Sequence, residues 1–374
     1  MRVALYHPWL KEKGGAEKVV LEIAKRSSHD VTVFTKYYDA QKTFSEFSNI
    51  NIEILGNNKE PKGFIDRLLR FEIGALATDV PLKDYDAFLV STAGVGTAIT
   101  VFNHDIPTIS YTHTPLRVAL PEFKNSYKEH IPTYLKPFYG LSVKFFSKLE
   151  NLAYKYFARV IANSKITMER VKSRNLIDGS KISVINPGAD VENNKSGNYE
   201  KYFLYPSRFR RYKRQDLIIE SFKKAKLSGF NLKLVGSNQE EEFVEELRKQ
   251  ADENIQIETD VSGERWKELY QNSYAVLFAA ENEDWGIVPI EAASHSKPVI
   301  SVNEGGPKES IINGETGFLV ESTSQAFADK MKFLANNKEK VAEMGKKARK
   351  ESQKYSWKNF SKKIDKEIDQ QIQN

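Results

Sequence analysis

Two carboxylates in "ENEDWGIVPIEAASHSKPVI", Glu281 to Ile300, have the types and spacing to do chemistry: Glu283 and Glu291 flank a Trp-Gly turn, separated by seven residues. The apolar run "YAVLFAA" (Tyr274 to Ala280) reads as a strand, and "IVPIEAASHS" as the start of a helix, with Pro289 suited to a first turn. Glu283 then falls on a strand-to-helix loop at the carboxyl edge of a sheet, and Glu291 in the first turns of the helix. Gly286 lets the loop turn sharply and leaves backbone N–H groups open to a ligand. Each acid has an ordinary reading, Glu291 as a partner of the helix dipole and Glu283 as a solvated loop acid. Neither accounts for the whole arrangement.

Other chemistries are excluded or confined. The chain has no cysteine, so disulfides, thiolate chemistry, Cys-ligated zinc and iron–sulfur sites are ruled out. The histidines show no metal-ligand spacing. "DYD" at Asp84 to Asp86 imitates a D-x-D metal signature, but it precedes the strand "AFLVST" at its amino end, where a structural role is expected. The chain carries a net charge of +6. From Lys136 to Arg174 there are nine bases against Glu150 and Glu169, so the remainder is close to neutral. Within "YLKPFYGLSVKFFSKLENLAYKYFARV", Phe, Leu and Tyr recur at helical spacings among lysines. Such a helix docks on an anionic membrane surface or faces a core with a solvated basic side. No nucleic-acid motif is present, and no apolar run approaches the roughly 20 residues needed to span a bilayer. "MRVALYHP" reads as a first strand rather than a signal peptide, so a cytoplasmic setting is expected, with peripheral attachment to the inner membrane face if the basic helix docks.

The elements that must position these residues alternate. "RVALY", "DVTVFT", "NIEIL", "AFLVST", "TISYTH" and "RVIANS" read as strands, each followed by a helical pattern; "YFLYPS", "NLKLVG", "NIQIE", "YAVLF" and "PVISV" resume after a polar stretch. This is the pattern of α/β domains with mostly parallel sheets covered on both faces. Chain length favours two domains: 1–185, joined by the C-terminal segment 355–374, and 201–354, with 186–200 as a polar linker. Two Rossmann-like domains facing across a cleft would share one ligand at the carboxyl ends of their strands.

The Glu283–Glu291 segment resembles the E-x7-E signature of retaining glycosyltransferases of GT-B fold, glycosyltransferase family 4. The resemblance covers most of the chain. "GGAEKVV" is similar to the family's glycine-rich loop, "YTHTPLR" to the segment of its active-site histidine, and "VIANSK" with "INPGAD" to the exit of its N-terminal domain. "SRFRRYKRQDLIIESF" is similar to its phosphate-binding segment, "EGGPKESIINGETGFLV" to the region after the E-x7-E helix, and "KYSWKNFSKKIDKEIDQQIQN" to a last helix crossing back to the N-terminal domain, with Trp357 and Phe360 as anchors.

The resemblance implies transfer of a hexose from a nucleotide sugar to a glycan, lipid-linked or polysaccharide acceptor. A departing diphosphate needs positive charge and N–H donors. By resemblance Arg208 and Lys213 supply the clamp, leaving Arg210, Arg211 and Arg214 as solvated surface. Glu283 holds sugar hydroxyls and supports charge near the anomeric carbon, and Glu291 accepts from the ribose. Trp285, Gly286, Ile287 and Val288 offer backbone N–H groups. Gly14 and Gly15 allow close approach to the donor beneath a helix N-terminus, and His113 contacts the transferred sugar. Trp285 stands where many relatives carry Phe and is expected to fill an apolar slot. GDP-mannose is the first expectation for the donor and a UDP-hexose the second, with no cofactor and no metal. The rivals are a nucleotide-sugar 2-epimerase of the same fold and a non-catalytic nucleotide-sugar-binding scaffold.

Overall fold

Short β-branched runs buried on both faces form parallel strands, because helical crossovers cover the two sides of such a sheet. The computed structural model describes residues 1–373 except 61, 63–65, 67, 95, 124–132, 134–135, 238–239 and 262, and only the backbone of residue 68. Tyr134 and Leu135 of the basic amphipathic segment, and Asn374, lie outside the described residues. The chain divides into unit 1, Met1–Pro187 with Lys358–Asn374, and unit 2, Gly188–Trp357.

Unit 1 holds β1 (Arg2–Tyr6), β2 (Asp30–Thr35), β3 (Ile52–Ile54), β4 (Ala87–Ala93), β5 (Thr108–Thr114), β6 (Arg159–Ala162) and β7 (Ile182–Val184). They pair in the order β3-β2-β1-β4-β5-β6-β7, every pair parallel. Unit 2 holds β8 (Tyr202–Pro206), β9 (Asn231–Gly236), β10 (Ile255–Thr259), β11 (Ala275–Phe278), β12 (Val299–Val302) and β13 (Gly317–Val320), in the order β10-β9-β8-β11-β12-β13, again parallel. These are two Rossmann-like sheets. In each, the chain winds outward, then returns beside its first strand, leaving a crevice at the carboxyl ends of β1 and β4 and of β8 and β11. The edge strands β7 and β13 were not among the expected strands.

One core of unit 1 packs Tyr6, Phe34, Phe88, Val90, Tyr154 and Phe157; that of unit 2 packs Phe203, Phe209, Leu234, Leu277, Ile300 and Met331. The stretch expected as a linker is not free-standing. From Gly188 it belongs to unit 2, where Ala189 and Val191 are buried against Trp285 and Ile290. Hydrogen bonds fasten it as well: Ala189 N donates to Tyr355 O at 2.8 Å, Asn194 Nδ2 to Ser294 Oγ at 2.7 Å and Glu200 N to Asn272 O at 2.9 Å.

The last helix, Trp357–Gln373, contributes its residues from Lys358 onward to unit 1. Phe360 meets Tyr111 edge-on at 5.6 Å. Asp365 accepts from Ser27 Oγ at 2.6 Å and from Ser28 N at 2.8 Å, and Glu367 pairs with Arg159 at 2.8 Å. Among the described residues no helix is long and apolar enough to cross a membrane.

Candidate functional site

In unit 2 the loops after β8 and β11 are fastened together at the switch-point crevice. Glu281 N donates to Tyr212 O at 2.9 Å. The wholly buried Tyr205 hydroxyl donates to the Lys213 carbonyl and accepts from Ala279 N, the latter at 3.2 Å. Two left-handed positions, Asn282 (φ 45°) and Gly286 (φ 82°), bend the second loop, and both residue types tolerate that conformation. Gly286 is the N-cap of the helix Ile287–Ser294, so Ile287 and Val288 are its first residues.

Across the fastened loops, Lys213 Nζ meets Glu283 Oε2 at 2.5 Å, with side chains 9% and 22% exposed. The residues expected to serve separately, on phosphate and on sugar, form one ion pair. Arg208 is half-buried just past β8, and its carbonyl accepts from Gln215 Nε2 at 2.8 Å. Arg211 points outward and pairs with Glu246 at 2.6 Å, both groups about half exposed, and Arg210 lies 4.0 Å from Glu240. Arg214 departs from the expectation of a solvated surface. It adopts φ 57°, donates to Ser322 Oγ at 2.6 Å and pairs with Glu281 at 3.5 Å and Glu304 at 3.4 Å. One guanidinium thus ties the loops after β8, β11, β12 and β13, because its five fixed donors can bridge several acceptors.

Glu291, one turn into its helix, accepts from the Tyr270 hydroxyl at 2.8 Å. Tyr270 is buried and stacks on His295 at 5.6 Å and 17°. Trp285 is 3% exposed in the cluster with Ala189, Val191 and Ile290, its ring 5.3 Å from Tyr355. It fills an apolar slot, which leaves its backbone to line the loop. Gly305 and Gly306, after β12, brace this loop. Gly306 N donates to Glu283 O at 2.8 Å. A Cβ on Gly306 would stand 2.4 Å from Trp285 Cα, and one on Gly305 2.3 Å from Glu283 O.

In unit 1, His113 lies near the end of β5 and is 8% exposed. Its Nε2 shares a hydrogen bond with Ser91 Oγ at 2.9 Å; its Nδ1 has no hydrogen-bond partner among the described residues. Burial, then the neighbouring His7, lowers its pKa to about 3, so it acts as a neutral imidazole. Gly14 caps the helix Gly15–Arg26. The carboxylate of the buried Glu17 occupies the space a Gly14 Cβ would take, 2.4 Å from it. That acid offsets the positive helix end that the sequence led one to expect beside the donor.

Among the described residues no group of three or more His, Asp or Glu could hold a metal ion. Asp86 accepts from Arg2 N at 2.8 Å, at the amino end of β4. In the basic segment Arg159 pairs with Glu367, Arg170 with Glu122 and Arg174 with Glu150.

Residues 13–193 match the family described as Glycosyltransferase Family 4, and residues 189–351 match Glycosyl transferases group 1. The chain is similar to the alpha-1,3/1,6-mannosyltransferase ALG2 of Dictyostelium discoideum, 23% identical over 390 residues and 92% of each chain. It is similar to the capsular polysaccharide biosynthesis glycosyltransferase CapM of Staphylococcus aureus, 29% identical over 226 residues, 54% of this chain and 58% of that one. In fold it is similar to Anabaena HepE, solved in complex with UDP and glucose, with TM-score 0.78, 20% identity, and 99% and 100% of the two chains covered. Two family matches that together run from residue 13 to 351, over two sheets of this topology, show that the chain belongs to the family 4-like glycosyltransferases of GT-B fold.

Proposed function

We propose that the protein moves mannose from GDP-mannose to a glycan or lipid-linked acceptor with retention of anomeric configuration. The Lys213–Glu283 pair, fastened at the β8/β11 crevice, is the observation that carries the chemistry. Lys213 and Arg208 neutralise the departing diphosphate, while Glu283 holds the sugar where positive charge develops. Glu291, oriented by Tyr270, accepts from the ribose. The backbone from Trp285 to Val288 donates to sugar and phosphate, Gly14 and Gly15 admit the donor closely, and His113 contacts the transferred sugar. No metal takes part in this reading, so EDTA leaves the rate unchanged; loss of activity restored by Mn²⁺ would overturn it.

Mannose follows the likeness to ALG2 mannosyltransferases. A UDP-hexose is the second reading, favoured by the likeness in fold to HepE, solved with UDP-glucose. Thermal unfolding with GDP, GDP-mannose, UDP and UDP-glucose separates them, since a ligand at 100 times its Kd adds about 2.7 kcal/mol. Stabilisation by the uridine ligands alone would replace the first reading with the second.

We further propose that the Lys136–Tyr154 helix docks on anionic lipid. Phe138, Leu141 and Phe145 are 65%, 70% and 51% exposed, at spacings that share one helix face. Lys136, Lys144 and Lys148 accompany them, the arrangement of an interfacial helix. Vesicle flotation should show a preference for anionic over neutral lipid that falls with salt; equal binding to both removes this reading.

A further inference from the structure

Unit 1 buries further polar groups at its own switch point, where β1 and β4 end side by side. Glu72 is 5% exposed and sits in a π-helical turn, Leu68–Ile73, a conformation that recurs at functional sites. Its Oε1 accepts the Gly96 N–H at 3.0 Å. Among the described residues no cation and no second hydrogen-bond donor meets this carboxyl. Gly96 (φ 94°) follows β4 and presses on the end of β1: a Cβ on it would stand 2.5 Å from Pro8 Cγ and 3.5 Å from Tyr6 Cε1. The Tyr6 hydroxyl is buried there without a partner among the described residues. On the same strand ends His7 Nδ1 meets Ser91 O at 2.8 Å, and Ser91 Oγ meets His113. Phe71, next to Glu72, lies edge-on to Trp9 with ring centroids 5.0 Å apart.

A single backbone N–H does not call for a carboxyl. A Gln or Ser oxygen would satisfy it without the cost of burying an ionisable group. Burial raises the Glu72 pKa to about 8, so at neutral pH the group is mostly protonated and can donate as well as accept. The fold uses one of its hydrogen bonds and leaves the others unfilled, beside an unfilled tyrosine hydroxyl. The ligand this chemistry suits is a neutral polyol rather than an anion, because among the described residues no cation meets the Glu72 carboxyl.

We propose that Glu72 is an acceptor-recognition residue, its carboxyl hydrogen-bonding a sugar hydroxyl of the acceptor at the β1/β4 crevice. The inference rests on the transferase reading, not on which sugar is moved.

Glu72→Gln keeps an oxygen for the Gly96 N–H and removes the acid. With octyl α-mannoside, octyl glucoside and octyl galactoside as acceptor probes, the acceptor KM should rise at least tenfold. Donor hydrolysis without acceptor, nucleoside diphosphate affinity and Tm should stay close to wild type. An acceptor KM within twofold of wild type overturns the proposal, as does a parallel fall in hydrolysis and transfer. Glu72→Ala, which also deletes the Gly96 contact, gives a further check: an effect in Ala but not in Gln would leave only a structural cap. Failure of the mannose reading is seen separately, as a wild type idle with GDP-mannose and active with UDP-glucose, and the variants are then compared on that donor. If neither donor turns over, saturation-transfer NMR of the octyl glycosides replaces KM, and equal binding by Glu72→Gln and wild type again overturns the proposal.

Discussion

The Lys213–Glu283 pair allows a test of the reaction and of the fold together. The two charges are 2.5 Å apart with side chains 9% and 22% exposed. Breaking a fully buried pair by removing one partner costs about 3–5 kcal/mol, while an exposed pair is worth about 0.2–1. At this partial exposure, about 2–3 kcal/mol is expected for Lys213→Met or Glu283→Gln alone. Removing both leaves no stranded charge, so the double variant should recover about 2 kcal/mol of the summed loss. In turnover each single change should lower kcat by about 2–4 kcal/mol, as for other electrostatic catalytic groups, with the double variant close to the worse single. Nucleoside diphosphate binding should move oppositely in the two singles. Glu283→Gln frees the ammonium from its counter-charge and should bind the diphosphate at least as tightly as wild type, whereas Lys213→Met binds it more weakly. Urea unfolding, steady-state kinetics and calorimetry of the four proteins supply the cycle. Additivity within about 0.5 kcal/mol in both stability and kcat would refute the pairing, and weaker diphosphate binding by Glu283→Gln would refute the competition.

The other expectations concern the supports of the site and pH. Gly306→Ala should cost about 1–3 kcal/mol and lower kcat/KM for the donor, because its Cβ would meet the backbone of Asp284 and Trp285 at 2.5 and 2.4 Å; wild-type Tm and turnover would mean the glycine does not hold the loop. Tyr270→Phe removes the donor to Glu291, a charge-assisted bond of about 1.5–3 kcal/mol, and should raise donor KM about tenfold with kcat little changed; an unchanged KM separates Glu291 from donor binding. Burial lowers His7 to about 4, His113 to about 3 and His295 to about 4, below the ~6.5 of an unfolded chain. Their stabilising contribution is therefore present above about pH 6.5 and is lost as pH falls towards 3–4. Glu72, raised to about 8, and Glu150, also raised by burial, act in reverse, their contribution full below about pH 4.5 and lost as pH rises through the folded values. The net uptake on unfolding is about one to two protons between pH 6 and 5, or about 1.4–2.7 kcal/mol per unit; urea midpoints that hold or rise over that range contradict it.

The sheets were legible because their strands are short apolar runs punctuated by turns, and the Glu283 loop because its glycine and its proline mark a turn and a helix start. β7 and β13 escaped because edge strands of three and four residues carry too little pattern. What the sequence hides is long-range. Nothing local to Arg214 distinguishes it from Arg211, yet one binds four loops together and the other faces solvent. Lys213 and Glu283 lie 70 positions apart, and their pairing follows from β8 and β11 becoming neighbours. Glu17 altered the reading of Gly14 through a side chain folding back on its own helix. Glu72 carries no motif, and its burial comes from a turn without the periodicity of an ordinary helix.

The assignment of Lys358–Asn374 to unit 1 has a consequence for how the molecule is made. Ser27 and Ser28 receive their Asp365 partner from 338 and 337 positions downstream. On a ribosome the first unit therefore emerges early and waits for its closing helix while all of Gly188–Trp357 is synthesised, about 10–35 s at ordinary elongation rates. During that interval the face around Tyr111 that Phe360 later covers has no native partner from its own chain. Released chains truncated after residue 357 should hold a completed second unit and a first one that chaperones still recognise.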